Sequence, residues 1–199
     1  MKYGNYLPLF EEKQSGFTLI ELVVTVAVSG ILLAAISQLF ISSNKMHTVQ
    51  EQVLRIQQEV RYGLDMIARD VRMAGYNPTD NANDAGFTVA NSTNLRIEYD
   101  FDEDGVCNKD REYKYNSGEE NLEVQRDGSG GFQTFINDVN SMNFQYTLAD
   151  GTTTNNPSDT EEIRRVTINI CGQISGGYSD SYDNSYCFNN VITCRNMGM

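Results

Sequence analysis

The chain is 199 residues long and 40% apolar, and its 27 acidic and 15 basic residues give a net charge of −12. That length fits one modest domain plus an anchor, and the acidity disfavours a phosphate backbone, so no nucleic-acid partner is expected. The single histidine, His47, argues against a histidine-based zinc site or a histidine-dependent nucleophile.

Residues 1–16 form a short leader in which Lys2 and Lys13 favour a cytoplasmic N-terminus and Glu11 and Glu12 oppose it. From Phe17 to Ile41 the sequence reads FTLIELVVTVAVSGILLAAISQLFI, with Glu21 as its one charge and no proline. As a helix this run would extend ~38 Å, enough to span a bilayer core. A secretory signal peptide has a shorter apolar core and a small-residue cleavage site; here the run is too long and helical pattern continues out of it. Val53, Ile56, Val60, Leu64, Ile67, Val71 and Ala74 recur at spacings of three and four, which lines one helix face. Gly75 and Pro78 then end the helix. The pattern predicts one helix from about Phe17 to Ala74, membrane-spanning over residues 17–41 and amphipathic over 42–76. It reads either as an anchor with a membrane-proximal helix or as a helix built to bundle with copies of itself.

Glu21 lies four residues into the apolar run, where an ionisable group is a functional-site hypothesis by default. Its context, Gly16-Phe17-Thr18-Leu19-Ile20-Glu21, resembles the type III signal of type IV prepilins and type II secretion pseudopilins. The resemblance covers the leader, the Gly before the cut, the Phe after it and the Glu at the fifth mature position. It implies that a prepilin peptidase cuts between Gly16 and Phe17 and methylates the new Phe17 amine. It also implies that Glu21 pairs with the Phe17 amine of a neighbouring subunit, since a buried carboxylate needs a positive partner. Gly30, beside Ser29, fits a place where the helix loosens or packs closely. The proline often found further along in major pilins is absent.

Residues 77–199 read as a β-rich exported head. Asp80 to Asn94 is a polar loop. Leu95–Tyr99 alternates as a strand should, Glu112–Asn116 and Asn121–Gln125 are short candidates, and Met142–Leu148 and Arg165–Ile170 alternate cleanly. Phe135, Ile136 and Val139 suggest a turn of helix or a bend; Asp150–Asp159 is a loop, and Gln173–Asn190 reads as irregular. The fold class expected is α+β, type IV pilin-like: a long N-terminal helix packed on an antiparallel sheet. The segment from Met66 to Tyr76, MIARDVRMAGY, is similar to the helix end of PilW-type minor pilins, which also carry a strand, an Asp-rich turn and another strand soon afterwards. The J-type pseudopilin of type II secretion shares much of this plan.

The Asp-rich turn is Asp100-Phe101-Asp102-Glu103-Asp104-Gly105. Three carboxylates at alternate positions followed by glycine resemble the first half of a calcium loop, to which the Val106 carbonyl and Asn108 could add oxygens. The twelfth position, where an EF-hand needs a bidentate acid, holds Arg111, so Asp110 or Glu112 would have to substitute in another kind of loop. The competing reading is a solvated acidic hairpin turn. Calcium is the one cofactor expected from the sequence.

Four cysteines, Cys107, Cys171, Cys187 and Cys194, all lie beyond the apolar run. In an exported domain an even number points to two disulfides. Of the three connectivities, Cys187–Cys194 with Cys107–Cys171 is favoured; a four-thiolate zinc site is the alternative, against which the lack of close cysteine pairs counts.

Three functions remain open. The first is a minor pilin for assembly or priming of a type IV pilus, with other minor and major pilins, the prepilin peptidase, the motor ATPase and the assembly platform as partners. Its helix would sit in the bacterial inner membrane and its head in the periplasm, reaching the pilus or cell surface after assembly. The second is a type II secretion pseudopilin with the same chemistry. The third, of another class, is an anchored calcium-dependent adhesin or binding module. No enzyme is expected: no Ser/His/Asp or Cys/His set is available, and Gly128-Ser129-Gly130-Gly131 lacks the lysine and helix of a phosphate loop.

Overall fold

The computed structural model describes residues 16–79, 85–174 and 185–197. The chain divides into two units, Met1–Met46 and His47–Met199. One helix, α1, runs Leu19–Met73. Nine strands follow: β1 Gly86–Ala90, β2 Asn94–Tyr99, β3 Lys109–Asn116, β4 Asn121–Arg126, β5 Ser129–Ile136, β6 Val139–Leu148, β7 Thr153–Thr154, β8 Ile163–Gln173 and β9 Ser185–Thr193. The class is α+β.

In the first unit the apolar side chains of α1 are exposed from Leu19 to Ile41, and the helix is long and apolar enough to cross a membrane. Thr25 Oγ1 donates to the Glu21 carbonyl and Ser37 Oγ to that of Leu33 at 2.8 Å, so these hydroxyls are satisfied within their own helix.

In the second unit, two antiparallel sheets share one core with the amphipathic half of α1. The first sheet is a meander in the order β1-β2-β3-β4-β5; the second has the order β7-β6-β8-β9. Alternation does what it should for sheets with one wet face. Leu95, Ile97 and Tyr99 of β2 point inward, as do Met142, Phe144 and Tyr146 of β6 and Val166, Ile168 and Ile170 of β8. They meet Ile56, Val60, Leu64, Ile67 and Val71 of α1, the stripe that the three- and four-residue spacing defines. The β1–β2 turn stitches the sheets together: the Phe144 N–H donates to the Ser92 carbonyl (2.8 Å) and the Tyr146 hydroxyl to that of Asn91 (2.9 Å).

Three expectations need correction. Residues 86–90, read as part of a polar loop, form β1 because Phe87 finds a place in the core opposite Ile97. The bend expected at Phe135–Val139 is two strands: Ile136 closes β5, Val139 opens β6, and Asp138, at φ 57°, carries the chain from one sheet to the other. β5 begins after a tight turn at Asp127-Gly128, where both residues have positive φ (54° and 60°), the geometry that favours Asp-Gly in two-residue hairpins. Finally, residues 185–190, read as irregular, belong to β9, which pairs with β8 along its whole length.

The disulfide pairing is also corrected. Cys171 and Cys187 face each other across β8 and β9 with Cα atoms 4.0 Å apart, and they are bonded. Cys107 lies between strands of the other sheet, which keeps it from Cys171. Cys194 is buried beyond the end of β9, and burial pushes its thiol up to about 12.

Two glycines set the approach of α1. A Cβ at Gly63 would overlap Ile136 of β5, and one at Gly172 of β8 would overlap Ile56, itself only 1% exposed. Gly172→Ala is therefore expected to destabilise the protein by about 1–3 kcal/mol through overpacking, read as a fall of roughly 2–12 °C in the thermal midpoint. Gly131→Ala, where nothing lies within 4 Å of the added carbon, should leave the midpoint in place.

Candidate functional site

The residues expected to act in processing and assembly lie together at the start of α1. Gly16 and Phe17 precede the helix, and Phe17 is 87% exposed. Thr18 and Glu21 bond reciprocally: the Glu21 N–H donates to Thr18 Oγ1 (3.3 Å), while the Thr18 N–H and hydroxyl approach Glu21 Oε2 at 3.5 and 3.4 Å. This is a capping box, in which Thr at the N-cap and Glu three residues later satisfy each other's orphan backbone donors. The only charge of the apolar run is thus held over the first turn of α1, four residues after Phe17.

The expected calcium residues are partly brought together. Carboxylate oxygens of Asp100, Asp102 and Asp104 lie within 4.8 Å of one another. Asp100 is fully buried and organises the turn: its two oxygens accept the N–H groups of Glu103 and Gly105, each at 2.9 Å. Asp104 accepts the Val106 N–H (2.9 Å) and Asn108 the Phe101 N–H (3.0 Å). Val106 itself is exposed beside them. The proposed completing acids are engaged elsewhere: Asp110 with Arg96, and Glu112 with the Asn94 side-chain amide at 2.8 Å. What the turn offers an ion is therefore three carboxylates; the Asn108 oxygen is already taken by the Phe101 N–H.

A third constellation was not predicted. At the end of α1 the Tyr113 hydroxyl of β3 donates to Asp70 Oδ2 at 2.6 Å, and the Arg111 guanidinium lies 4.0 Å from the same oxygen. Arg111 also reaches Asp127 at 3.2 Å. Burial pushes the Asp70 carboxyl above its ordinary value, against the pull of Tyr113, Arg111, Arg69 and Tyr99. Burial and then the Asp70 charge push the Tyr113 phenol far up, so it remains a donor. Above Asp70 opens a cleft of about 400 Å³, walled by Tyr62, Met66, Arg69 and Met73 of α1 and by Tyr99, Phe101 and Arg111 opposite. The sequence signal was Asp70 itself, an acid among helix positions that flank the buried stripe, but its partner in β3 is 43 residues away.

The helix end is tied to the acidic turn. Gly75 takes the left-handed conformation (φ 76°) that terminates helices. The next carbonyl, of Tyr76, accepts the Asp100 N–H at 2.9 Å, and the Tyr76 hydroxyl donates to Glu103 at 2.8 Å. Asn196 adds a bond to the Arg72 carbonyl at 3.2 Å.

Residues 49–185 match the family described as prepilin peptidase-dependent protein B, a span that runs from the first buried residue of α1 to the first residue of β9. Residues 13–37 match the prokaryotic N-terminal methylation motif, and so include Gly16, Phe17 and Glu21. No curated protein matches the chain.

Asp70 makes a pH test possible. Because its folded pKa is raised, its contribution is most favourable below the unfolded value near 3.8 and is lost as pH rises through the folded value. Asp70→Asn keeps an acceptor for Tyr113 without a charge to bury. Thermal unfolding between pH 3.5 and 7.5 should show the variant gaining on the wild type as pH rises, then a constant difference. Asp70→Leu, which leaves the Tyr113 hydroxyl unpaired, should be less stable by about 1–3 kcal/mol at every pH.

Proposed function

Because the chain belongs to the prepilin peptidase-dependent protein B family, a family of type IV pilin-like proteins, we propose that it is a minor pilin of the PilW kind that helps assemble or prime a type IV pilus. The observation that carries this reading is the coincidence, in one segment, of the methylation motif, an exposed apolar helical run and a single carboxylate in the capping box at its start. Hydrolysis of the Gly16–Phe17 bond by the peptidase frees the Phe17 amine, which is then methylated. In the filament, the ammonium of one subunit sits against Glu21 of the next. In a low-dielectric bundle neither charge has water to turn to, so each supplies the other's compensation and the pair fixes the register between helices. The anchor lies in the inner membrane, and the head, closed by the Cys171–Cys187 bridge, faces the periplasm, where disulfides persist. Its partners are other pilins and the assembly platform.

Calcium at the Asp100–Gly105 turn is a separate part of the proposal, supported by the convergence of three carboxylates. If calcium binds, the thermal midpoint should rise in millimolar calcium over chelator, by an amount equivalent to about 2.7 kcal/mol at a hundredfold excess over Kd. Asp102→Asn should erase the rise, and an unchanged wild-type midpoint would leave the turn a solvated acidic one.

The processing step is read directly from the intact mass of the membrane-extracted protein, with and without co-expressed prepilin peptidase. The expected result is a peptidase-dependent loss of Met1 to Gly16 with one methyl gained, absent in Gly16→Val. Glu21→Gln should still be cut but fail to enter filaments. An uncut wild-type chain would sink the pilin reading in favour of an anchored binding module. A cut chain whose deletion abolishes secretion but not piliation would assign it to type II secretion.

A further inference from the structure

We infer that the head carries a two-fold self-association site, in which Phe101 and Asp102 of one copy enter the cleft beneath Tyr62 and Arg69 of another. Tyr62 and Phe101 are each 62% exposed, large aromatic side chains on opposite walls of a concave site. Met66 and Met73 line the α1 side. Aromatic, Met and Arg side chains are the types enriched where proteins meet, and thioethers adapt to what they cover.

Charge selects the occupant. Arg111 is engaged by Asp70 and Asp127, whereas Arg69 is exposed and, among the described residues, has no ion pair within 4 Å; it acts on the Asp70 charge only from a greater distance. The cleft therefore calls for an apolar side chain next to a carboxylate. Phe101-Asp102 has that chemistry. Asp102 is exposed in a cluster of like charges in which Asp100 and Asp104 accept backbone N–H groups, so a cation brought by another molecule relieves it. Receptor and ligand groups thus occupy one patch, with Phe101 at the lip of its own cleft. A surface that is self-complementary at one place is what a two-fold axis requires, since each copy both gives and receives the same contact. The patch is small, so the association is weak and depends on concentration. It does not rest on the pilin reading, and the Phe101–Asp102 contact is distinct from any pairing through the apolar helices.

The test uses the full chain in detergent micelles and chelator, which keeps calcium from Asp102. Tyr62 is replaced by the photocrosslinker p-benzoylphenylalanine, and ¹⁴N- and ¹⁵N-labelled protein are mixed so that inter-chain crosslinks carry both isotopes. The expected result is a mixed-isotope crosslink from position 62 to the peptide containing residues 101–106. It should fall about fivefold in Arg69→Glu and in Asp102→Arg, the upper end for an exposed ion pair, and return in the double variant, where the charges are exchanged. Both positions are exposed, so the fold should survive; circular dichroism checks this, and Arg69→Gln and Asp102→Asn stand in for a reversal that does not fold. The proposal is overturned by any of three results: no mixed-isotope crosslink to 101–106, a crosslink indifferent to both single changes, or single losses that the exchange fails to restore.

Discussion

Burial of one face of α1 from two sides is the constraint on which the second unit depends. Neither sheet could stand alone: each has one apolar face, and each needs something to cover it. The stripe from Ile56 to Val71 covers both, at 0–6% exposure along its length. It does so at close range because glycine stands where a side chain would intervene, at Gly63 towards β5 and at Gly172 beneath Ile56. The two-residue crossing at Asp138 follows from the same demand. With both sheets on one helix the chain must pass between them quickly, and the left-handed conformation at Asp138 allows it. The Gln173 N–H then bonds to the Asp138 carbonyl (2.8 Å), which fastens β8 to the crossing.

The first part of α1 obeys the opposite rule. It is apolar on every side and, within its own unit, covers nothing. A helix of that kind is stable only where something else removes it from water, whether lipid or sister helices. In such surroundings the one carboxylate decides what the segment can do. Its capping box with Thr18 holds Glu21 over the helix start, where the partial positive charge of the first turn favours an anion. The group is thereby held at the helix start, which is where the proposed pairing with an incoming ammonium needs it.

The sequence made the helix, the anchor, the processing signal and the central strands legible, because each is written in local periodicity or in a short motif. β2, β6 and β8 alternate cleanly since one face of each is core and the other is wet. β1 and β9 were missed for a shared reason. Each is an edge strand, and in β9 only Ile192 is fully buried, so polar residues such as Asn189 and Asn190 hide the pattern. The Cys171–Cys187 bridge depends on the register between β8 and β9, which is invisible until β9 is recognised. Spacing along the chain favoured Cys187–Cys194 instead, but both of those residues belong to one extended run whose side chains cannot meet. In the acidic turn Asp100, Asp102 and Asp104 do converge, whereas Asp110 and Glu112 do not join them. Strand pairing gives those two to Arg96 and Asn94, the residues that face them across β2.

The helix-end segment from Met66 to Tyr76 shows why a motif can be recognisable before it is intelligible. Asp70 binds Tyr113 in β3, Ala74 is fully buried, and Gly75 turns the chain. Tyr76 holds the Asp-rich turn by its carbonyl and by its hydroxyl. The bonds of Asp70 and Tyr76 join the helix to β3 and to the connection between β2 and β3, while Arg72 and Gly75 meet Asn196 near the C-terminus. The segment is therefore the joint through which the long helix fixes the first sheet, and the turn between β2 and β3 inherits its position from that joint. A turn with so many like charges would tend to splay; bonds from Tyr76, and the two N–H groups on buried Asp100, hold it in one shape instead. That rigidity makes Phe101 and Asp102 a defined surface feature, presented beside the cleft.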